Sequence, residues 1–114
     1  MSEPRRGEVV RVPLLSADRT RYLLHPALVI QDPQLKGPFD KLLVAAITSR
    51  VRRSPTRILV ETGSPDAAEM GLRLTSQVCL DDLSAVPTFA MQVVGGCPFM
   101  GDVDGLLRRI LRLG

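Results

Sequence analysis

Histidine is almost absent from this 114-residue chain: His25 is the only one. There is no tryptophan, and Tyr22, Phe39, Phe89 and Phe99 are all the aromatic residues present. Lysine is scarce as well, since of fifteen basic residues only Lys36 and Lys41 are lysines. Each shortage excludes something. One histidine and two cysteines, Cys79 and Cys97, too far apart for a CxxC pair, leave no ligand set for zinc. Both thiols are expected to be reduced and structural, as in a cytoplasmic protein. There is no Gly-rich phosphate loop and no nucleophile elbow, which argues against a nucleotide-binding fold and a serine-type hydrolase. No apolar run approaches the roughly 18 residues of a membrane-spanning helix, and the polar, basic start lacks the apolar segment of a secretion signal. The length suits one domain, residues 1–114, with a modest core.

What the chain does hold is arginine and short apolar runs. The formal charge is +3, carried almost wholly by guanidiniums, which suit bidentate phosphate contacts better than ammonium groups do. Nucleic acid is therefore a reasonable partner. Val9, Val10 and Val12 read as a first strand stopping near Pro13, and 16–20 as a polar loop. Residues 22–30 are extended, with Pro26 keeping His25 out of the helical region and removing one ladder donor. The run 42–47 is continuously apolar, as a strand covered on both faces should be, and ends in Thr48-Ser49 before Arg50, Arg52, Arg53 and Arg57. Two hydroxyls and several guanidiniums are thus delivered to one rim.

Further on, Ile58-Leu59-Val60 predicts a short strand. Ser64, Pro65 and Asp66 supply an N-cap, a first-turn proline and an early acid for a short helix closing at Gly71. Val78-Cys79-Leu80 reads as a strand ending at Asp81-Asp82. From Asp102 onward Val103, Leu106, Leu107 and Ile110 form a helical stripe, with acids at its start and Arg108, Arg109 and Arg112 at its end. Short strands at close spacing plus a terminal helix predict a mainly β fold, a small and strongly curved antiparallel sheet or barrel.

The segments Arg6-Gly7-Glu8-Val9-Val10, Leu24-His25-Pro26-Ala27-Leu28-Val29-Ile30, 44–50, and Gly71-Leu72-Arg73 leading into Thr75-Ser76-Gln77-Val78 fall in an order and at spacings that resemble the PemK/MazF toxin family of bacterial toxin-antitoxin pairs. The resemblance covers nearly the whole chain. It implies the small SH3-like barrel that this family shares with CcdB toxins. It also implies a metal-independent, cofactor-free endoribonuclease that cuts single-stranded RNA at short sequences. Such a toxin acts as a cytoplasmic homodimer with no membrane association and is neutralised by a small acidic antitoxin.

The same resemblance implies roles for particular residues. Thr48 matches the phosphate-binding threonine, and Ser49 follows it. His25 stands where the family usually has a catalytic arginine before the proline, and an imidazole can exchange a proton near neutrality. Thr20 occupies a position where some members carry Glu. Asp81 matches the acid of an R-x-D pair whose arginine is replaced here by Cys79. His25 and Thr48 are accordingly the catalytic candidates, with Arg21, Tyr22, Ser49, Arg50 and Asp81 as candidates for holding RNA. Arg21 and Arg50 are candidates for restoring the missing positive charge, Asp81 for positioning His25 or acting as base, and Tyr22 for stacking a base. Two other readings compete: a catalytically impaired protein-binding module, through antitoxin binding or CcdB-like gyrase inhibition, and a nucleic-acid-binding domain that does not cut.

Overall fold

Along the central strands both alternating sets of side chains are apolar, and both are buried. In the computed structural model, which describes residues 3–114, one antiparallel sheet runs in the order β4-β5-β3-β2-β1-β6. Its strands are β1 (Glu8–Leu15), β2 (Tyr22–Val29), β3 (Lys41–Thr48), β4 (Arg57–Val60), β5 (Ser76–Pro87) and β6 (Gln92–Gly96). Two helices accompany it, α1 (Pro65–Met70) and α2 (Met100–Leu111). Val9, Leu28, Ala45, Ile47, Val60, Val78 and Leu80 pack with Ala67 and Met70 of α1 and Val103 of α2. The other alternation, Val10, Val12, Ala27, Val29, Leu42, Val44 and Val86, forms a second cluster against Leu14, Ala90 and Met91. Hence the unbroken apolar run of β3: Leu43, Ala45 and Ile47 serve the helix-covered face, while Leu42 and Val44 serve the other.

The short-range signals translate directly. The Ser64 side chain accepts a hydrogen bond from the Ala67 amide, Pro65 opens α1, and Gly71 closes it with φ 72° while its N–H bonds the carbonyls of Ala67 and Ala68. The stripe Val103, Leu106, Leu107 and Ile110 of α2 lies against the first cluster, the helix beginning at Met100 rather than Asp102. Arg6 donates from Nε to the Ile30 carbonyl at 2.9 Å and pairs with Asp104, so the opening Arg-Gly motif ties β1 to α2. Both cysteines are free thiols, as expected from the sequence. Among the described residues no helix is long and apolar enough to cross a membrane.

Two expectations need correction, and one strand went unpredicted. β1 does not stop at Pro13 but runs to Leu15, with Pro13 opposite Leu24. Its pairing with β6 ends at Arg11, so the missing Pro13 donor breaks no ladder there. β5 does not end at Asp81-Asp82 but continues to Pro87. Leu83 stands opposite Ala45 and Cys79 opposite Ala46, so residues 80–82 form a bulge that turns both acids outward and bends the strand. β6 was not foreseen at all. It is rich in glycine, and Gly95 is needed because a Cβ there would lie 2.4 Å from the Glu69 carbonyl oxygen of α1. The sheet curls into the half-barrel with a C-terminal helix that the sequence predicted.

Candidate functional site

Strand register decides which of the candidate residues can act together. β2 pairs β3 as Ala27↔Ala46, Leu28↔Ala45 and Val29↔Val44, and the ladder ends there, next to Pro26. A proline has no N–H to give β3, whereas pairing of β2 with β1 continues to Tyr22. Carrying the β2–β3 register two residues past its last pair sets His25 against Thr48, where the strands have stopped bonding. Both are half-buried. By alternation both project to the side of the second apolar cluster, away from the helices.

β5 extends this polar end of the face. Thr48 stands opposite Gln77 and Ala46 opposite Cys79, while Gln77 and Cys79 face Leu59 and Arg57 on β4. Opposed residues of an antiparallel pair share a face, so Thr48, Gln77 and Arg57 project to the side that carries His25. Gln77, only 6% exposed, accepts from the Arg52 amide at 2.9 Å and donates to the Arg52 carbonyl at 2.7 Å. The Arg50 amide donates to Thr48 Oγ1 at 3.1 Å. That bond occupies an acceptor site on the hydroxyl and leaves its proton to be given elsewhere. The arginine-rich loop 49–56 is therefore held at Arg50 and Arg52 by the polar groups of the sheet. Gln77→Leu is expected to cost about 2 kcal/mol through the lost loop bonds, with faster amide exchange confined to 50–54; unchanged exchange there would refute the clamp.

Arg57 bonds Asp81 in a fork, Nε to Oδ1 at 3.2 Å and Nη2 to Oδ2 at 3.4 Å. Burial pushes the Asp81 carboxyl up, but the Arg57 hydrogen bond and other local bonds outweigh it and hold the group below its ordinary value. Asp81 is thus a carboxylate committed to Arg57, poorly suited to act as base, and the expectation that it positions His25 gives way to this pairing. Cys79, where the R-x-D arginine was missing, is a thiol that burial pushes up and away from the thiolate. The guanidinium beside Asp81 comes from β4 instead. Neither Arg57 nor Gln77 was among the sequence candidates. The only local signal for them was the Arg-rich stretch and the Gln inside the motif.

The remaining candidates are dispersed. Ser49 and Arg50 are exposed at the start of the loop. Arg21 closes the β1–β2 hairpin, its amide donating to Ser16 Oγ at 3.3 Å and its carbonyl accepting from the Ser16 amide at 2.8 Å. Tyr22 is three positions from His25 on an extended strand, about 10 Å away and on the opposite face. It lines a cavity of about 730 Å³ with Leu15, Arg19, Lys41, Asp82 and Phe89, which lies at the far end of the hairpin and includes neither His25 nor Thr48.

Thr20 donates from its amide and its hydroxyl to Asp18, as does the Ser16 hydroxyl, and these bonds lower the Asp18 pKa to about 2. The sign follows from the depressed value: the loop keeps these bonds in full above the ordinary 3.8 and loses them as pH falls through about 2. A carboxyl carbon titration by NMR should place the Asp18 midpoint near 2, and a midpoint near 3.8 would refute the arrangement.

The fold has close counterparts of known structure. An endoribonuclease in complex with its cognate antitoxin, from a Mycobacterial species, superposes with a TM-score of 0.74 at 21% identity over 97% of each chain. The MazE-MazF structure (Form-II) from Deinococcus radiodurans gives 0.73 at 18% identity over 100% of each chain. The Mycobacterium tuberculosis toxin MazF-mt6 gives 0.68 at 18% identity over 92% of this chain and 96% of the other. At such identities the likeness establishes the fold. Among curated proteins none matches the chain by sequence. Residues 5–97, most of the chain, match the family described as PemK-like, MazF-like toxin of type II toxin-antitoxin system, and the chain belongs to that family.

Proposed function

We propose that this chain is a toxin-type, metal-independent endoribonuclease that cleaves single-stranded RNA at short sequences. The observation that carries the reading is the β2–β3 register, which, carried two residues past its last pair Ala27↔Ala46, brings His25 level with Thr48 where Pro26 ends the ladder. In the proposed reaction the ribose 2′-oxygen forms a bond to phosphorus and the bond from phosphorus to the 5′-oxygen of the next nucleotide breaks. The products are a 2′,3′-cyclic phosphate and a 5′-hydroxyl. One proton must leave the 2′-hydroxyl and one must reach the departing oxygen, and an imidazole at His25 supplies a group that can do either near neutrality. The Thr48 hydroxyl, its acceptor side taken by the Arg50 amide, donates to a phosphoryl oxygen as charge builds there. DNA has no 2′-hydroxyl and is not cut.

The partners follow from the same reading. The protein works in the cytoplasm as a homodimer with RNA in a groove across the dimer interface, and a small acidic antitoxin covers that groove, attracted by the arginine-rich loop. Of the similar structures described above, one is an endoribonuclease in complex with its cognate antitoxin and another is a MazE-MazF complex, which supports an antitoxin as partner.

Incubating the purified protein with a long single-stranded RNA in EDTA, then mapping 5′ ends, tests the reading. Cuts at a recurrent short sequence with 5′-hydroxyl ends are expected. Intact RNA together with growth arrest on expression would replace it with the protein-binding module. Intact RNA with salt-sensitive binding would replace it with a nucleic-acid-binding domain.

A further inference from the structure

The residue before Pro26 is His25 rather than a permanent cation, and the sheet offers a guanidinium three strands away on β4. We propose that the Arg57 guanidinium is a phosphate-binding group of the His25–Thr48 face and that Asp81 is its positioning residue, the phosphate being that of a single-stranded nucleic acid. The assignment deepens the proposed function and rests on it.

Four observations support it. Arg57, Cys79 and Ala46 stand opposite one another across β4, β5 and β3, which puts Arg57 on the face of Thr48. Its guanidinium leans back over β5, forked onto Asp81 and with Nη1 at 3.5 Å from Gln77 Oε1, the residue opposite Thr48. That places the charge about one strand spacing, roughly 4.8 Å, from the strand of Thr48. The fork consumes donors on Nε and Nη2 and fixes the plane, while the contact to Gln77 is too long to hold Nη1 firmly, so donors stay available for an incoming oxyanion. Finally, the Arg57 side chain is only 18% exposed, against 39% for Asp81, so the cation is sheltered and directed rather than waving in solvent. An ion pair this close to the surface adds little to stability, whereas a guanidinium fixed in plane suits the bidentate geometry of phosphate.

Asp81 gives the proposal a test of sign. Replacing it by Asn removes a negative charge, so a purely long-range electrostatic role predicts tighter binding of nucleic acid. A positioning role predicts weaker binding. The probe is an all-2′-deoxy single strand of mixed sequence, which cannot be cleaved, titrated by fluorescence anisotropy over a range of salt concentrations. Arg57→Gln is expected to weaken binding about tenfold and to reduce the salt slope by about one. Asp81→Asn is expected to weaken it about threefold, with Asp81→Glu restoring most of the loss. Arg57→Lys, which keeps the charge and loses the fork, should fall between wild type and Arg57→Gln. Arg109→Gln, on the helix that covers the other face, serves as the control.

An Arg57→Gln effect no larger than that control, tighter binding by Asp81→Asn, or no binding by the wild type would each overturn the proposal. Circular dichroism of each variant guards against loss of fold, and the Lys and Glu variants keep the test informative if one of the others unfolds. Arg57-dependent binding of the deoxy strand, with RNA left intact in EDTA, would remove the endoribonuclease reading and leave this assignment standing.

Discussion

His25→Ala is expected to lower RNA cleavage by about a thousandfold while leaving the fold and its thermal transition nearly unchanged. The size follows from what the ring is asked to do. General acid-base transfer contributes roughly a hundred- to ten-thousandfold, and the rest of the polar face offers no replacement. Asp81 is an ionised carboxylate held by Arg57, and the Cys79 thiol is pushed up by burial. The structural cost is small because His25 is half-buried at the open end of the β2–β3 ladder, outside both apolar clusters. His25→Arg separates chemistry from position. A guanidinium keeps donors and a charge at that position but does not exchange a proton near neutrality, so this variant should cut RNA more slowly than wild type and faster than His25→Ala. Wild-type rates in His25→Ala, measured in single-turnover assays with excess protein, would show that the proton transfers lie elsewhere.

Gly95→Ala is expected to destabilise the protein by about 3 kcal/mol, read as a shift in the urea unfolding midpoint. A Cβ at residue 95 would meet the Glu69 carbonyl oxygen at 2.4 Å and the Met70 carbonyl carbon at 2.6 Å, and both are backbone atoms that no rotamer change can move aside. Either β6 must retreat from α1 or α1 must shift off Met70, which is wholly buried in the first cluster. Against a typical stability of about 5–15 kcal/mol this is a large fraction, and Gly95→Val should prevent folding outright. Gly96→Ala is the internal control, since a Cβ there meets nothing within 4 Å. Equal midpoints for the two alanine variants would mean that the close approach is not maintained in solution.

The short helix was legible because each of its signals acts within a turn: Ser64 caps the Ala67 amide and Gly71 adopts the left-handed conformation that ends it. The β3 run and the α2 stripe were legible for the same reason, their apolar periods matching the two cores they enter. β6 was not, because two of its five residues are glycines, and the use of Gly95 is explained only by a helix some 25 residues earlier in the chain. Asp81-Asp82 misled as a strand end because two charges inside a strand make sense only when a bulge exposes them, and a bulge exists only relative to a partner.

The sequence by itself determined the fold class and the family, and it named His25 and Thr48 as candidates, since motif order and local period are properties of the chain taken alone. Only the tertiary structure decided what surrounds that pair. The bonds from Gln77 to Arg52 and from Arg57 to Asp81 join residues 25 and 24 positions apart on different elements. Whether they meet depends on the register of β5 with β3 and β4, which a single residue's slip would reverse from one face to the other. Register is set by the summed packing of two cores and one bulge, and no segment of the chain carries that sum alone.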